Sequence, residues 1–212
     1  MNIILTALDD PLVEAWRSYC GDLDGVTIHK GSIIELEPDA VVSPANSFGF
    51  MDGGIDKLYS HHFGWKVQER LQKLIVANHH GELLVGTAAI VETDHPRIPY
   101  LIAAPTMRVP MILRYSVNPY LAARAALLLV KYGRFDGHIH KGEAISDHVH
   151  TVAFPGLGTG VGRIEPEICA RQVRTAIEEV VLGNQLFPTS WFDAASKHQK
   201  LYTDDVGDLQ FE

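Results

Sequence analysis

The residues best placed to do chemistry lie in one run, Ala40-Val-Val-Ser-Pro-Ala-Asn-Ser-Phe-Gly-Phe-Met-Asp-Gly-Gly-Ile-Asp56. It reads as a buried strand from Ala40 to Val42, a polar glycine-rich loop, and the start of a long helix. A loop between a strand's carboxyl end and a helix amino terminus offers unpaired backbone N–H groups and the positive end of a helix dipole. Both suit an anion such as phosphate. Gly53 and Gly54 let the backbone approach a ligand closely, and Asn46, Asp52 and Asp56 set polar side chains around the same mouth. The bland reading makes Asn46 a turn former and Asp56 an early-helix complement to the dipole. A loop built only for structure has no need of three acceptor-bearing side chains. A second run, Thr151-Val-Ala-Phe-Pro-Gly-Leu-Gly-Thr-Gly-Val-Gly162, repeats the order of strand, glycines and helix. One such loop is as readily a tight turn as an anion site; two side by side form a pocket for a diphosphate.

Other chemistries fit less well. Gly156, Gly158, Gly160 and Gly162 alternate, but a G-x-G-x-x-G fingerprint needs a glycine at Val161 or Arg163, and no G-K-S/T follows. Ser43 and Ser47 lack the G-x-S-x-G setting of a hydrolase nucleophile. His138-Ile-His140 and His148-Val-His150 each put two imidazoles on one side of an extended segment, a pattern open to zinc or nickel. The segment reads as a loop, however, so solvated histidines are preferred and no metal ligand or cofactor is assigned. His61-His62 and His79-His80 sit at helix ends, where exposure accounts for them.

The elements that must position these loops follow from periodicity. Asn2 to Ala7 reads as a first strand, Pro11 to Cys20 as a helix opened by Asp9 or Asp10, and Gly25 to His29 as a second strand. Ile55 to Val76 is mostly helical, with Val67, Leu71, Leu74 and Ile75 on one face and Gly64 as an interruption. Leu83 to Thr93 and Pro99 to Ala104 read as an antiparallel pair. Asn118-Pro119 caps a helix to Tyr132; Gly133 to His150 reads as a surface excursion; Thr151 to Phe154 is the last clear strand. Pro166 to Leu182 is an amphipathic helix with Cys169, Val173, Ala176, Ile177 and Val180 inward. In the remainder, Leu186, Phe187, Trp191, Phe192 and Leu201 are expected to pack on the body, and Thr203 to Glu212 to fray. Strands alternating with helices predict a three-layer α/β/α sandwich with a mixed, mostly parallel sheet.

The chain of 212 residues is read as one domain, residues 1–212, with 183–212 as a C-terminal extension packed on it. A net charge of −8 argues against broad, electrostatically driven nucleic-acid binding, which needs a basic face. Cys20 and Cys169, far apart and outside any CxxC pattern, read as thiols in a reducing compartment. No signal peptide or membrane span is expected, which makes the cytoplasm the default. Nothing in the chain speaks to oligomeric state.

Four motifs, taken in order, resemble the macrodomain family of ADP-ribose-binding modules. Lys30-Gly-Ser-Ile33 looks like its G-D-I turn, and Val42-Ser-Pro-Ala-Asn46 like its V-N-A-A-N strand end. Gly53-Gly-Ile-Asp56 looks like its G-G-V-D, and Phe154-Pro-Gly-Leu-Gly-Thr-Gly-Val161 like its second phosphate loop. The likeness runs from about Val26 to Leu182. It implies a diphosphate between Gly53-Gly54-Ile55 and the Gly158-Thr159-Gly160-Val161 loop, adenine near Ser32 and Ile33, and Ala45 and Gly162 also at the ligand. Asn46 would bind the distal ribose, and Asp56 would position or activate water beside it. The implied partner is ADP-ribose or an ADP-ribosylated substrate. The implied reaction is metal-independent removal of ADP-ribose, or of an acyl group carried on it, with a non-catalytic reader as the alternative. Ser32 stands where the family usually has Asp, Ser43 where it has the first Asn, and Gly162 where many members carry an aromatic ring. The missing aromatic wall is expected from Phe48, Phe50 or Arg163.

Overall fold

Strand residues here alternate between two apolar faces, which forces helices onto both sides. In the computed structural model, which describes residues 1–44, 46–136 and 140–204, six strands form one sheet among the described residues. They are β1 (Asn2–Ala7), β2 (Val26–Lys30), β3 (Ala40–Ser43), β4 (Ala89–Glu92), β5 (Tyr100–Ala103) and β6 (Thr151–Phe154), in the order β2-β1-β6-β3-β5-β4. All pairs are parallel except β4 with β5, where Ile90 faces Ile102. The mixed, mostly parallel sheet and its antiparallel edge are as the sequence implies.

Side-chain alternation assigns each residue to a layer. Leu5, Val42, Ile102 and Phe154 face one side, packed under α1 (Asp10–Cys20), α4 (Asn118–Tyr132) and α5 (Pro166–Val180). Val41, Leu101 and Ala153 face the other, under α2 (Gly54–Phe63) and α3 (Lys66–Asn78). Helix α1 shows how sequence sets this up. Asp9 accepts a hydrogen bond from the Leu12 N–H at 3.0 Å, Pro11 fills the first turn, and Val13, Trp16 and Cys20 fall on the buried stripe. Trp16 is fully buried and its indole N–H donates to the Thr6 carbonyl at 3.4 Å, fastening α1 to β1. That ring alone contributes about 3 kcal/mol. On α5 the five residues expected inward are all buried.

Four expectations need correction. The strand predicted over 83–93 survives only as Ala89–Glu92. Ahead of it the chain turns at Gly86, at φ 91°, and the Leu83 N–H bonds to the Ser47 carbonyl instead of to a sheet partner. Asn118 is the first residue of α4, not its cap; its side-chain amide donates to the Thr106 carbonyl at 2.7 Å. The 133–150 excursion is not all surface, since Phe135, Ile145 and Val149 enter the core. Of the five apolar residues expected to pack in the C-terminal segment, Leu201 is buried, whereas Leu186, Phe187, Trp191 and Phe192 of the segment leading into α6 (Trp191–Gln199) and of its first turn stay exposed; residues 205–212 lie outside the described residues.

Candidate functional site

Parallel strands bring their carboxyl ends to one edge of the sheet, where open α/β folds bind ligands. At that edge lies a cleft of about 370 Å³ between the loops after β1, β2, β3, β5 and β6. Every described residue expected at the ligand lines it: Ser32 and Ile33 after β2; Asn46, Gly53, Gly54, Ile55 and Asp56 after β3; and Gly158 to Gly162 after β6. Ala45 lies outside the described residues.

Helix α2 starts at this edge. Its cap, Gly53, provides no side-chain hydrogen bond to the first turn, and Gly54 takes φ 53°, which a side chain rarely tolerates. The helix therefore presents its amino-terminal N–H groups and dipole to the cleft without a capping side chain. Asp56, in the first turn, is 8% exposed. The Ser43 hydroxyl, from the end of β3, donates to its Oδ1. Burial raises the Asp56 carboxyl from its ordinary 3.8 to about 6, against the opposing effect of that hydrogen bond. Below it the Tyr59 hydroxyl donates to the Val42 carbonyl at 3.0 Å, and burial, then Asp56, pushes the phenol well above 10. Ser43, a departure from the family pattern, thus serves the carboxylate directly.

Asn46 organises the loop that leads there. Its Oδ1 accepts from the Phe48 and Phe50 N–H groups at 3.1 and 3.3 Å, and its amide donates to the Phe50 carbonyl at 2.8 Å. Of the three candidates for the missing aromatic wall, only Phe50 lines the cleft. Phe48 lies under the Arg108 guanidinium, and Arg163 is exposed beyond the second loop. A Cβ on Gly162 would stand 2.5 Å from the Gly158 carbonyl oxygen and 2.9 Å from Leu113 Cδ1, so no side chain fits there. In the second loop Gly158 takes φ 71°, and its carbonyl and that of Gly160 accept from Ile164 and Arg163.

Sequence reading missed one wall. Leu8, Asp9 and Leu12 from the β1–α1 turn, and Thr106, Met107 and Pro110 after β5, also line the cleft. The available signal was topological: each group follows the carboxyl end of a parallel strand. The histidine-rich segment lies before β6, at the other end of the sheet.

Fold and cleft define a three-layer α/β/α protein with a ligand cleft between two glycine loops. The chain belongs to the macro domain family, whose model matches residues 42–173. It is 31% identical over 156 residues to an uncharacterized protein of Aquifex aeolicus, covering 73% of this chain and 80% of that one. Its fold is similar to the Oceanobacillus iheyensis macrodomain with ADP, with a TM-score of 0.58, 19% identity, and coverage of 73% and 75%. It is also similar to Thermosipho africanus DarTG in complex with ADP-ribose, with a TM-score of 0.55, 11% identity, and coverage of 82% of this chain and 50% of that one. No helix among the described residues is long and apolar enough to cross a membrane.

Proposed function

We propose that this protein binds ADP-ribose in the cleft and hydrolyses a linkage at the distal ribose, releasing ADP-ribose or an acyl group carried on it. The observation that carries the hydrolytic reading is Asp56: a buried carboxyl, hydrogen-bonded by Ser43, with its pKa raised to about 6, at the mouth of an uncapped helix. A base titrating near the working pH is well matched to taking a proton from water. In the proposed step the water oxygen bonds to the electrophilic carbon as Asp56 takes the water proton. The bond from that carbon to the leaving group breaks, and the proton passes to the leaving group. The α2 amino terminus and the Gly158–Val161 loop hold the diphosphate through backbone N–H groups, and Ser32 and Ile33 border the adenine. Asn46 shapes the 46–50 loop and reaches the distal ribose with the second N–H of its amide. The family's ligand, and the ADP and ADP-ribose named with two similar folds, support the ligand assignment.

A reader that binds without turnover is the second reading, favoured by the low exposure of Asp56 and by the engagement of the Asn46 amide within its own loop. Calorimetric titration with ADP-ribose, with AMP and NAD as controls, tests the ligand. Micromolar binding, tighter than for AMP, is expected, and no heat together with no thermal shift would sink the assignment. Incubation with ADP-ribosylated protein and O-acyl-ADP-ribose tests the chemistry. Asp56→Ala should keep binding and lose most turnover; binding with no release by the wild type establishes the reader instead.

A further inference from the structure

Away from the cleft, the amino-terminal end of the sheet gathers a second set of chemical groups. Among the described residues, His140, Glu143 and His148 offer ligand atoms that all lie within 4.8 Å of one another. His148 Nε2 is 2.6 Å and His140 Nδ1 3.2 Å from the same carboxylate oxygen, Oε2 of Glu143. The two imidazole rings stand 3.9 Å apart between centroids. From the geometry we infer that His140, Glu143 and His148 form a binding site for a divalent transition-metal ion of the zinc class, separate from the nucleotide cleft.

Three features support this beyond proximity. The first is spacing: zinc bonds of about 2.1 Å in tetrahedral geometry put neighbouring ligand atoms about 3.4 Å apart, between the shortest contact and the outer limit found here. The second is rigidity. Although the ligands sit on a loop, the loop is pinned: Phe135, Ile145 and Val149 are buried, Phe135 N–H donates to the Glu143 carbonyl, and Ile145 N–H donates to Gly133. Both imidazoles rest against the Phe135 ring, at 5.7 and 5.6 Å, which limits their rotation. The third is charge: the Glu143 carboxylate brings one anionic oxygen to both imidazoles, with Arg134, which donates to the Gly142 carbonyl at 2.7 Å, and Lys141, next to His140 in sequence, as cations of the same segment.

The donor set selects the ion. Two imidazoles with one carboxylate suit zinc, nickel or cobalt(II), whereas magnesium and calcium require mostly oxygen ligands. A bound ion would tie His140 and Glu143 to His148 across the short helical turn Ile145–Asp147, and because binding requires the folded arrangement it would stabilise the native state. Sequence pairs histidines 138 with 140 and 148 with 150; the structure instead brings 140 and 148 together and adds Glu143. His138 lies outside the described residues, and His150 is not part of the group.

The test uses the full chain without a histidine tag, stripped with EDTA and titrated calorimetrically with zinc chloride, with cobalt(II) absorption as the spectroscopic readout. One ion per chain is expected, with a rise in melting temperature. Both His148→Ala and Glu143→Gln should weaken binding at least about tenfold; Glu143 is half exposed, so its amide variant keeps the fold. A His79→Ala/His80→Ala variant should bind as the wild type does, and ADP-ribose binding should be unchanged throughout. Absence of zinc binding at 100-fold excess, equal binding by Glu143→Gln and wild type, or magnesium binding as tightly as zinc would each overturn the proposal.

Discussion

At the scale of single residues, Asp56 is under two opposing demands. A carboxyl buried beside one hydroxyl resists ionisation, yet a base must be ionised to act. Its native pKa of about 6 lies above the ordinary 3.8, so the native state binds this proton more tightly than the unfolded chain does. The stabilisation associated with that proton is complete below pH 3.8 and is lost as pH rises through 6, a difference of about 3 kcal/mol by pH 8. Asp56→Asn keeps the shape and removes the titration. Urea unfolding should therefore find Asp56→Asn gaining on the wild type between pH 4 and pH 8, by up to that amount. If the two proteins keep a constant stability difference across this range, the carboxyl is not desolvated. Under the proposed hydrolysis the same group predicts a wild-type rate that climbs with pH through about 6, since only the ionised carboxylate can take the water proton.

At the scale of elements, the two glycine loops do different work at different positions. Gly162 is sterically obligatory: an added Cβ meets the Gly158 carbonyl, which cannot swing away as a side chain would. Gly160 has no atom within 4 Å of such a Cβ, so its smallness matters only to what occupies the cleft. Gly162→Ala should cost about 1–3 kcal/mol through overpacking, and it should lower the melting temperature by several degrees. Gly160→Ala should melt with the wild type and instead weaken ADP-ribose binding. Thermal melts with and without ADP-ribose separate the two, and a Gly162→Ala protein as stable as wild type would show that Leu113 and the loop relax freely. Sequence could not tell these glycines apart, because the distinction depends on how the loop folds back on its own Gly158 carbonyl and on Leu113, distant in the chain. What was legible was local. The α3 stripe of Val67, Leu71 and Ile75, the α5 stripe and the Asp9-Pro11 helix start all follow from period and capping. What failed was decided by tertiary competition: apolar residues from Leu83 onward read as strand, but Gly86 and the bond from Leu83 to Ser47 divert them.

At the scale of the molecule, the cleft is assembled from five strand ends between Thr6 and Gly162, so each candidate residue depends on the register of the whole sheet. The motif residues were readable because both glycine loops are continuous in sequence. The Leu8 and Met107 wall was not, since its parts meet only when β1, β6, β3 and β5 lie side by side. Among the described residues, none of the segment after α5 lines the cleft. That segment holds to the body through buried Leu201, through the Arg171 guanidinium donating to the Lys200 carbonyl at 3.3 Å and through its pairing with Asp204 at 2.9 Å. Its larger apolar side chains, Phe187 and Trp191 among them, remain exposed. The exposed Arg171–Asp204 pair contributes little, and burial of Leu201 contributes about 2 kcal/mol. We therefore propose that residues 183–212 are an appendage to a domain that folds without them. A chain ending at Leu182 should unfold cooperatively, with a melting temperature only a few degrees lower, and should bind ADP-ribose within about twofold of the full chain. It should also be more soluble, having lost four exposed apolar side chains. A truncated chain that fails to fold would show instead that Leu201 and Arg171 close the α1–α5 face, and would make the segment integral to the domain.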